Sequence, residues 1–336
     1  MKIGLIGAGF MGRTHADAWR ECGGDVTGVL ATPDRSAHAL ADAYGASVAE
    51  SVAELARSTD VVDICSPTPL HRDHLLAAVD EGSRAIFCEK PLARHLTDAE
   101  AMVRSCRDGG VTLGVGHVLR FFPEYVSALA AARRGELGEL AVLRFSRRTF
   151  APHKAWFLDT AQSGGVVLDL MIHDLDFARL AAGEVQRVYA RLDSGSDGRQ
   201  HAYALLTHAS GTLTHVEGSW RYPRPEFHTS FEFAGSKALV TFDSQSAGAI
   251  RSHLAPSEGT GAHGDRTLPE VPVAASPVTE NPYAAQLAAF RHAIETGSQP
   301  PVSGEEGLRT LRLALAVLES SELGRPVEIT PWEGAR

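Results

Sequence analysis

The chain has 336 residues, more than one ordinary domain holds and about right for two. Its hydrophobic content of 44% and charged content of 22% are those of a soluble globular protein. The net charge of −9 argues against a nucleic-acid or anionic-membrane surface, since either partner selects a basic patch. The four cysteines, Cys22, Cys65, Cys88 and Cys106, have no CxxC spacing and no paired histidine pattern, so no metal site is expected. They read as reduced thiols, which fits a cytoplasmic protein. Met1 and Lys2 lead straight into an apolar run without a signal-peptide layout, and no apolar run is long enough to span a bilayer.

The first third alternates short apolar runs with helical patterns. Ile3 to Ile6 reads as a buried strand, followed by glycines and a helix from about Gly12 to Cys22. Val26 to Leu30 is a second strand, and Ser36 to Tyr44 a helix that stops at Gly45. Ser51 with Glu54 forms a capping box, in which two side chains satisfy free amides at a helix start. Val61 to Cys65 is a third strand, Pro69 to Glu81 a helix, and Ala85 to Cys88 a fourth strand. Thr97 with Glu100 forms another capping box, and Val111 to Val115 is a fifth strand. Strands alternating with helices imply a doubly wound parallel sheet, a Rossmann domain over residues 1–119.

The remainder, residues 120–336, has a different pattern. A helix is expected from Pro123, where proline suits the first turn, and another from Gly165 to Ala181. Five β-rich runs follow: Val185 to Leu192, His201 to Thr207, Thr212 to Ser219, Thr229 to Phe233 and Ala238 to Phe242. Turn-rich segments such as 194–198 and 234–236 join them. The pattern predicts a mostly antiparallel open sheet with helices on one face. Pro256 to Pro282 reads as a surface excursion, and two helices, Tyr283 to Thr296 and Glu305 to Leu323, close the chain.

Gly7, Ala8, Gly9, Phe10, Met11 and Gly12 spell GxGxxG. The pattern alone is weak, but here it follows a strand and opens a helix within a βαβ unit. Gly7 permits the tight turn, Gly9 lets backbone approach a pyrophosphate, and Gly12 permits close helix–strand packing. The helix-start amides, including those of Phe10 and Met11, then face the phosphates. An acid normally ends the second strand and grips the ribose of NAD. Here Ala31 and Thr32 stand there, with Asp34 late and beyond a proline. Thr32 and Arg35 suit a 2′-phosphate, which leans the reading towards NADP and leaves NAD open.

Further along, Ser66-Pro67-Thr68-Pro69-Leu70-His71 and Cys88-Glu89-Lys90-Pro91 follow the third and fourth strands. His117 to Pro123 follows the fifth, and Gly164 to Asp176 carries the pattern GGxxLDxxIHDxD. With Asn281 to Tyr283 and Gly324 to Val327, these motifs resemble the Gfo/Idh/MocA oxidoreductases across nearly the whole chain. That is the family of glucose–fructose oxidoreductase and inositol dehydrogenase. The resemblance implies that Ser66, Pro67, Thr68, His71, Glu89 and Lys90 lie along the cofactor. It implies that Lys90 stands beside the nicotinamide, and that Asp169 and His173 reach it from the second domain. Residues four apart share a helix face, so Asp169 and His173 can point into one cleft.

His173 is the candidate general base, Lys90 the group that holds the substrate oxygen, and Asp169 the residue that orients the site. Arg120 has two readings, a ligand for substrate hydroxyls or a brace at the domain junction. Trp156 either stacks on a sugar face or serves as a core or lid residue. Asp174 reads as structural, Asp176 as either; His15 and His117 read as structural. Arg144, Arg147 and Arg148, on a strand-like run, have two readings, an anionic substrate or a solvated strand face, and the second is preferred. The function expected is NAD(P)-dependent hydride transfer at a hydroxyl or keto carbon of a cyclitol, sugar or sugar derivative, with an inositol-like substrate favoured. Alternatives are a keto-sugar reductase, an NAD-dependent glycosidase, or a catalytically silent regulator. The resemblance also implies a homodimer or homotetramer.

Overall fold

The structure, a computed structural model, describes residues 1–31, 35–152, 155–222, 227–246, 251–254 and 281–330. The run Lys2–Ile6 (β1) is buried at every position after the first. The glycine turn ends it, and Phe10–Glu21 (α1) follows, burying His15, Ala16 and Trp19 against the strands. Then come Asp25–Leu30 (β2), Arg35–Tyr44 (α2), Ser47–Val48 (β3), Val52–Ser58 (α3) and Val61–Ile64 (β4). His71–Asp80 (α4), Ala85–Cys88 (β5), Leu96–Asp108 (α5) and Thr112–Val115 (β6) complete the first half. The six strands form one sheet in the order β3-β2-β1-β4-β5-β6, and every pairing is parallel. Strands β4 and β5 are buried at every residue, as a sheet covered by helices on both faces requires. The order reverses between β1 and β4, which opens a crevice beyond the carboxyl ends of the strands.

The second half begins with Pro123–Arg133 (α6) and Leu140–Arg148 (β7), then two short helices, Ala155–Leu158 (α7) and Thr160–Ser163 (α8). Ile172–Ala182 (α9) precedes Val185–Ser194 (β8), Gln200–His208 (β9), Leu213–Ser219 (β10), His228–Gly235 (β11), Ala238–Asp243 (β12) and Arg251–Leu254 (β13). Pro282–Thr296 (α10), Gly304–Leu323 (α11) and Val327–Glu328 (β14) end the described chain. The sheet runs β13-β12-β11-β7-β10-β9-β8-β14. The expected antiparallel order holds except for one parallel pair, β7 with β10. Helices between β7 and β8 carry the chain across the sheet, so the β8–β9–β10 meander returns beside β7 in the same direction.

Local expectations hold with two corrections. Ser51 and Ser303 cap α3 and α11, each accepting the amide three residues on. Thr97 is not a cap: α5 starts at Leu96, two residues earlier than that cap would place it, after His95, whose side chain makes no cap bond. The helix expected from Gly165 is not regular; Val167–Met171 is a π-helical turn that leads into α9. The excursion predicted over 256–282 lies almost wholly outside the described residues.

The two sheets share a core. One cluster runs from Ile64 and Leu113 of the first, with Leu55 of α3, to Phe145 and Phe233 of the second, with Phe177 of α9. On the other face of the first sheet, Leu287 and Phe290 of α10 pack with Ile3 and Trp19, so the end of the chain returns to the nucleotide-binding half. The seam is pinned by Arg120, whose guanidinium takes both oxygens of Asp176 at 2.7 and 2.6 Å and Glu306 at 2.9 Å. Thr310 of α11 donates to the same Asp176 at 2.8 Å. Asp176 is fully buried. Removing one partner of such a buried pair strands the other charge. Asp176→Ala is expected to destabilise the protein by about 3 kcal/mol in urea unfolding, against less than about 1 kcal/mol for an exposed pair such as Arg187–Glu328.

Candidate active site

Gly7 has φ 108°, a conformation that favours glycine, and a Cβ there would lie 2.7 Å from the Cys65 carbonyl oxygen. At Gly12 an added Cβ would lie 1.9 Å from the Gly7 carbonyl oxygen. Helix α1 therefore sits as close to the sheet as a bare backbone allows. Gly9 precedes α1 without any side-chain cap bond, which leaves the first helix amides facing outward. Phe10 is 81% exposed at that end.

A cavity of about 900 Å3 starts at this turn. Gly7, Gly9, Phe10 and Met11 form one end, with Ala31 and Ser36 beside them. It passes Ser66, Pro67, Thr68 and His71, and reaches Glu89, Lys90, Trp156 and Asp169. The elongated lining, with phosphate-accepting amides at one end, fits a dinucleotide. Gly12 packs behind the turn rather than lining the cavity. Thr32 lies outside the described residues, and so does the side chain of Arg35.

A second cavity of about 340 Å3 adjoins the first and shares Met11, Glu89, Lys90 and Asp169 with it. Lys90 Nζ donates to the Asp169 carbonyl oxygen at 2.7 Å and to Asp169 Oδ1 at 3.1 Å. The lysine comes from the loop after β5, the aspartate from the π-helical turn before α9. His173, in the first turn of α9, lines the same cavity. Its Nδ1 is buried without a hydrogen-bond partner. Burial, then the nearby charges of Lys90 and Arg147, push this imidazole well below its ordinary value of 6.5. It is neutral at physiological pH and free to accept a proton.

Arg120 does not line either cavity. Its donors are spent on Asp176, Glu306 and the Pro301 carbonyl, so of its two readings the brace describes its contacts. Trp156 lines the larger cavity with its ring stacked on Phe157 at 3.9 Å. His71 is buried, and its ring bridges the Ser66 carbonyl at 2.8 Å and the Pro91 carbonyl at 3.0 Å. It ties the loop after β4 to the loop after β5.

The three arginines of β7 do not share a face, contrary to expectation. Arg144 is exposed and pairs with Glu232, and Arg148 reaches Tyr222 and His228. Arg147 is 6% exposed and lines the smaller cavity. Asp174 holds its guanidinium at 3.0 and 2.9 Å, and the Tyr125 hydroxyl lies 3.2 Å away. Strand alternation carried this signal: Leu143, Phe145 and Arg147 fall on one side, and the first two are core residues. Glu124 and Tyr283 also line this cavity and were not singled out from sequence. Burial raises the Glu124 carboxyl above its ordinary value.

Parallel strands in this order, meeting a glycine turn, define a nucleotide-binding oxidoreductase fold. Residues 1–117 match the family model described as oxidoreductase family, NAD-binding Rossmann fold, and residues 125–241 match the GFO/IDH/MocA C-terminal domain. The chain belongs to the Gfo/Idh/MocA oxidoreductases. It is 32% identical to D-apiose dehydrogenase of Paraburkholderia graminis, over 99% of this chain and 90% of that one. It is 30% identical to inositol 2-dehydrogenase of Rhizobium meliloti, over 98% and 99%. A solved oxidoreductase domain protein from Kribbella flavida shares the fold, with TM-score 0.86 and 23% identity over 98% of this chain and 99% of that one. No helix among the described residues is long and apolar enough to cross a membrane.

The glycine-turn reading puts a side chain at Gly9 between the helix amides and a bound phosphate. Gly9→Val is expected to abolish nicotinamide-cofactor binding in calorimetry while the protein still unfolds cooperatively. Undiminished binding would mean that the turn does not hold the pyrophosphate.

Proposed function

We propose that this oxidoreductase moves a hydride between a nicotinamide cofactor and a hydroxyl-bearing carbon of a cyclitol or sugar, with an inositol-like ring favoured. The observation that carries the reading is the Lys90–Asp169 contact where the two cavities join, with His173 lining the smaller of them beside it. Relatives named for apiose and for inositol support a neutral polyol rather than an acid. A nicotinamide cofactor bound in the larger cavity supplies hydride acceptance and donation. Ala31 at the end of β2 offers no acid to a ribose hydroxyl, and Thr32 with Arg35 follows it, so the reading leans towards NADP(H).

The chain's own groups handle the oxygen and the proton. Lys90 Nζ, oriented by Asp169, donates to the substrate oxygen and stabilises the negative charge that grows there. His173 takes the hydroxyl proton during oxidation and returns it during reduction. Desolvation and two cations keep the imidazole unprotonated, so the base is ready before substrate arrives.

Titration with NAD(H) and NADP(H), followed by a polyol and sugar panel read at the nicotinamide absorbance, tests the reading. Lys90→Met and His173→Ala are each expected to lower kcat by about 100-fold to 10,000-fold while cofactor affinity stays within about threefold. Only unprotonated His173 serves as base, and its pKa is lowered. The acidic limb of kcat/KM for oxidation is therefore expected below the ordinary histidine value, with rate lost as the pH falls through that limb. A limb centred above the ordinary value would remove His173 as the base.

The open face of the second sheet supports a homodimer or homotetramer. Tyr189, Tyr203, Leu205 and Leu213 are 39–46% exposed on adjacent strands β8, β9 and β10. Light scattering is expected to give a mass of two or four chains, and Leu205→Glu is expected to lower it. A monomeric wild type would refute this assembly.

A further inference from the structure

Behind the Lys90 loop, three ionisable groups are buried in a row. His15 on α1 and Asp63 on β4 are fully buried, and Glu89 just past β5 is 6% exposed. His15 Nδ1 lies 2.9 Å from Asp63 Oδ2, and its Nε2 lies 3.0 Å from Glu89 Oε1. Trp19 Nε1 donates to Asp63 Oδ2 at 2.7 Å, which fixes the far end of the row. At the near end Glu89 Oε2 accepts the Lys90 backbone amide at 3.1 Å. The other titratable groups facing the ring are Cys65, whose Sγ lies 3.2 Å from Nδ1, and Tyr283, whose ring centre lies 6.1 Å away. Burial and Asp63 push the Cys65 thiol up, so it stays uncharged.

Each ring nitrogen of His15 therefore faces a carboxyl group. Ionised carboxylates only accept, and a neutral imidazole has a single N–H to give. Two such bonds need two ring protons, or else a proton on one of the acids. Burial is the largest single effect and opposes the charged ring, but the charges and hydrogen bonds of Asp63 and Cys65 together raise the imidazole well above its ordinary value. Burial also works against ionised Glu89, yet the His15 bond and the charges of His15 and Lys90 hold its carboxyl below the ordinary value. Two carboxylates around one cation leave a net negative charge directly behind Lys90.

We infer that His15 is held as an imidazolium between Asp63 and Glu89, that this buried clamp positions Lys90, and that its net negative charge favours the oxidised cofactor over the reduced one. The last part rests on the proposed placement of the nicotinamide beside Lys90. His15 and Asp63 are positioning residues, since they act through Glu89 and touch neither cavity. The clamp itself needs no cofactor to exist, so it can be tested separately.

Nitrogen-15 histidine NMR of the full chain reads the ring protons directly, with the His15 signals identified by their loss in His15→Gln. Both ring nitrogens are expected to stay protonated across the neutral and mildly alkaline range, where a free histidine has lost one proton. One unprotonated nitrogen on His15 at neutral pH overturns the clamp. Glu89→Gln keeps the shape and removes the charge, and it serves if His15→Gln does not fold. In Glu89→Gln the His15 ring is expected to release a proton within that range. The affinity for NAD+ or NADP+ is expected to fall about tenfold more than that for NADH or NADPH, the order of one unit charge acting inside a poorly polarisable site. Equal losses for both redox forms overturn the charge role. A wild type that binds neither cofactor refutes the proposed function and the redox bias with it, while the NMR result still decides the clamp.

Discussion

Lys90 meets Asp169 across the seam between the two sheets, and the proposed active site exists only as long as that seam holds its register. The lysine is carried by the first sheet and the aspartate by a turn packed on the second. At 2.7 and 3.1 Å the two contacts leave little room for a shift of one half against the other. The fold meets this demand with backbone as well as side chains. After α10 the chain returns to the edge of the parallel sheet, where Val115 donates to the Val302 carbonyl at 3.0 Å and Gly114 bridges Ser303. Ser303 then caps α11, whose Glu306 and Thr310 close on the Arg120–Asp176 pair. The end of the chain thus fastens the seam that the middle of the chain creates.

One short segment organises the buried charge around that seam. Asp169, Asp174 and Asp176 each hold a cation from a different element: Lys90 after β5, Arg147 on β7 and Arg120 after β6. Their directions differ because successive helical residues point about 100° apart. His173 lies among these acids in sequence and pairs with none of them in space. Burial first, and then the nearby cations Lys90 and Arg147, hold its pKa down. A fourth acid turned towards it would raise its pKa and spoil it as a base near neutrality. Pairing the neighbours and leaving His173 unpaired are two results of one arrangement.

Much of this was legible in the sequence, because the first half obeys simple rules. Buried parallel strands read as apolar runs, and Gly7, Gly9 and Gly12 announce the turn between the first strand and helix. Lys90, Asp169 and His173 came from motifs in the right order rather than from spacing alone. Arg147 was misplaced because three arginines in five residues look solvated until strand parity is applied. Arg120 could be read either way, since its partners Asp176 and Glu306 lie far off along the chain. His15 was read as structural, and nothing local indicates that it lies between an acid on β4 and another just past β5. The fine preference for a cofactor phosphate turns on Thr32 and Arg35, where the resemblance permits either form.

The departure from regular helix at Val167–Met171 has a physical use. In an α-helix the carbonyl of each residue is taken by the amide four residues on, and it has little to offer a neighbour. A π-helical turn moves those bonds out of the four-residue register. Here the Asp169 carbonyl lies 2.7 Å from Lys90 Nζ, closer than its own carboxylate at 3.1 Å. The ammonium is thus steered by a rigid backbone oxygen and balanced by a movable side chain. That division suits the role proposed for Lys90, giving one hydrogen bond to a substrate oxygen without losing its place. The sequence pattern reads as a continuous helix because apolar spacing constrains which face is buried, not which carbonyls remain free to bind a partner.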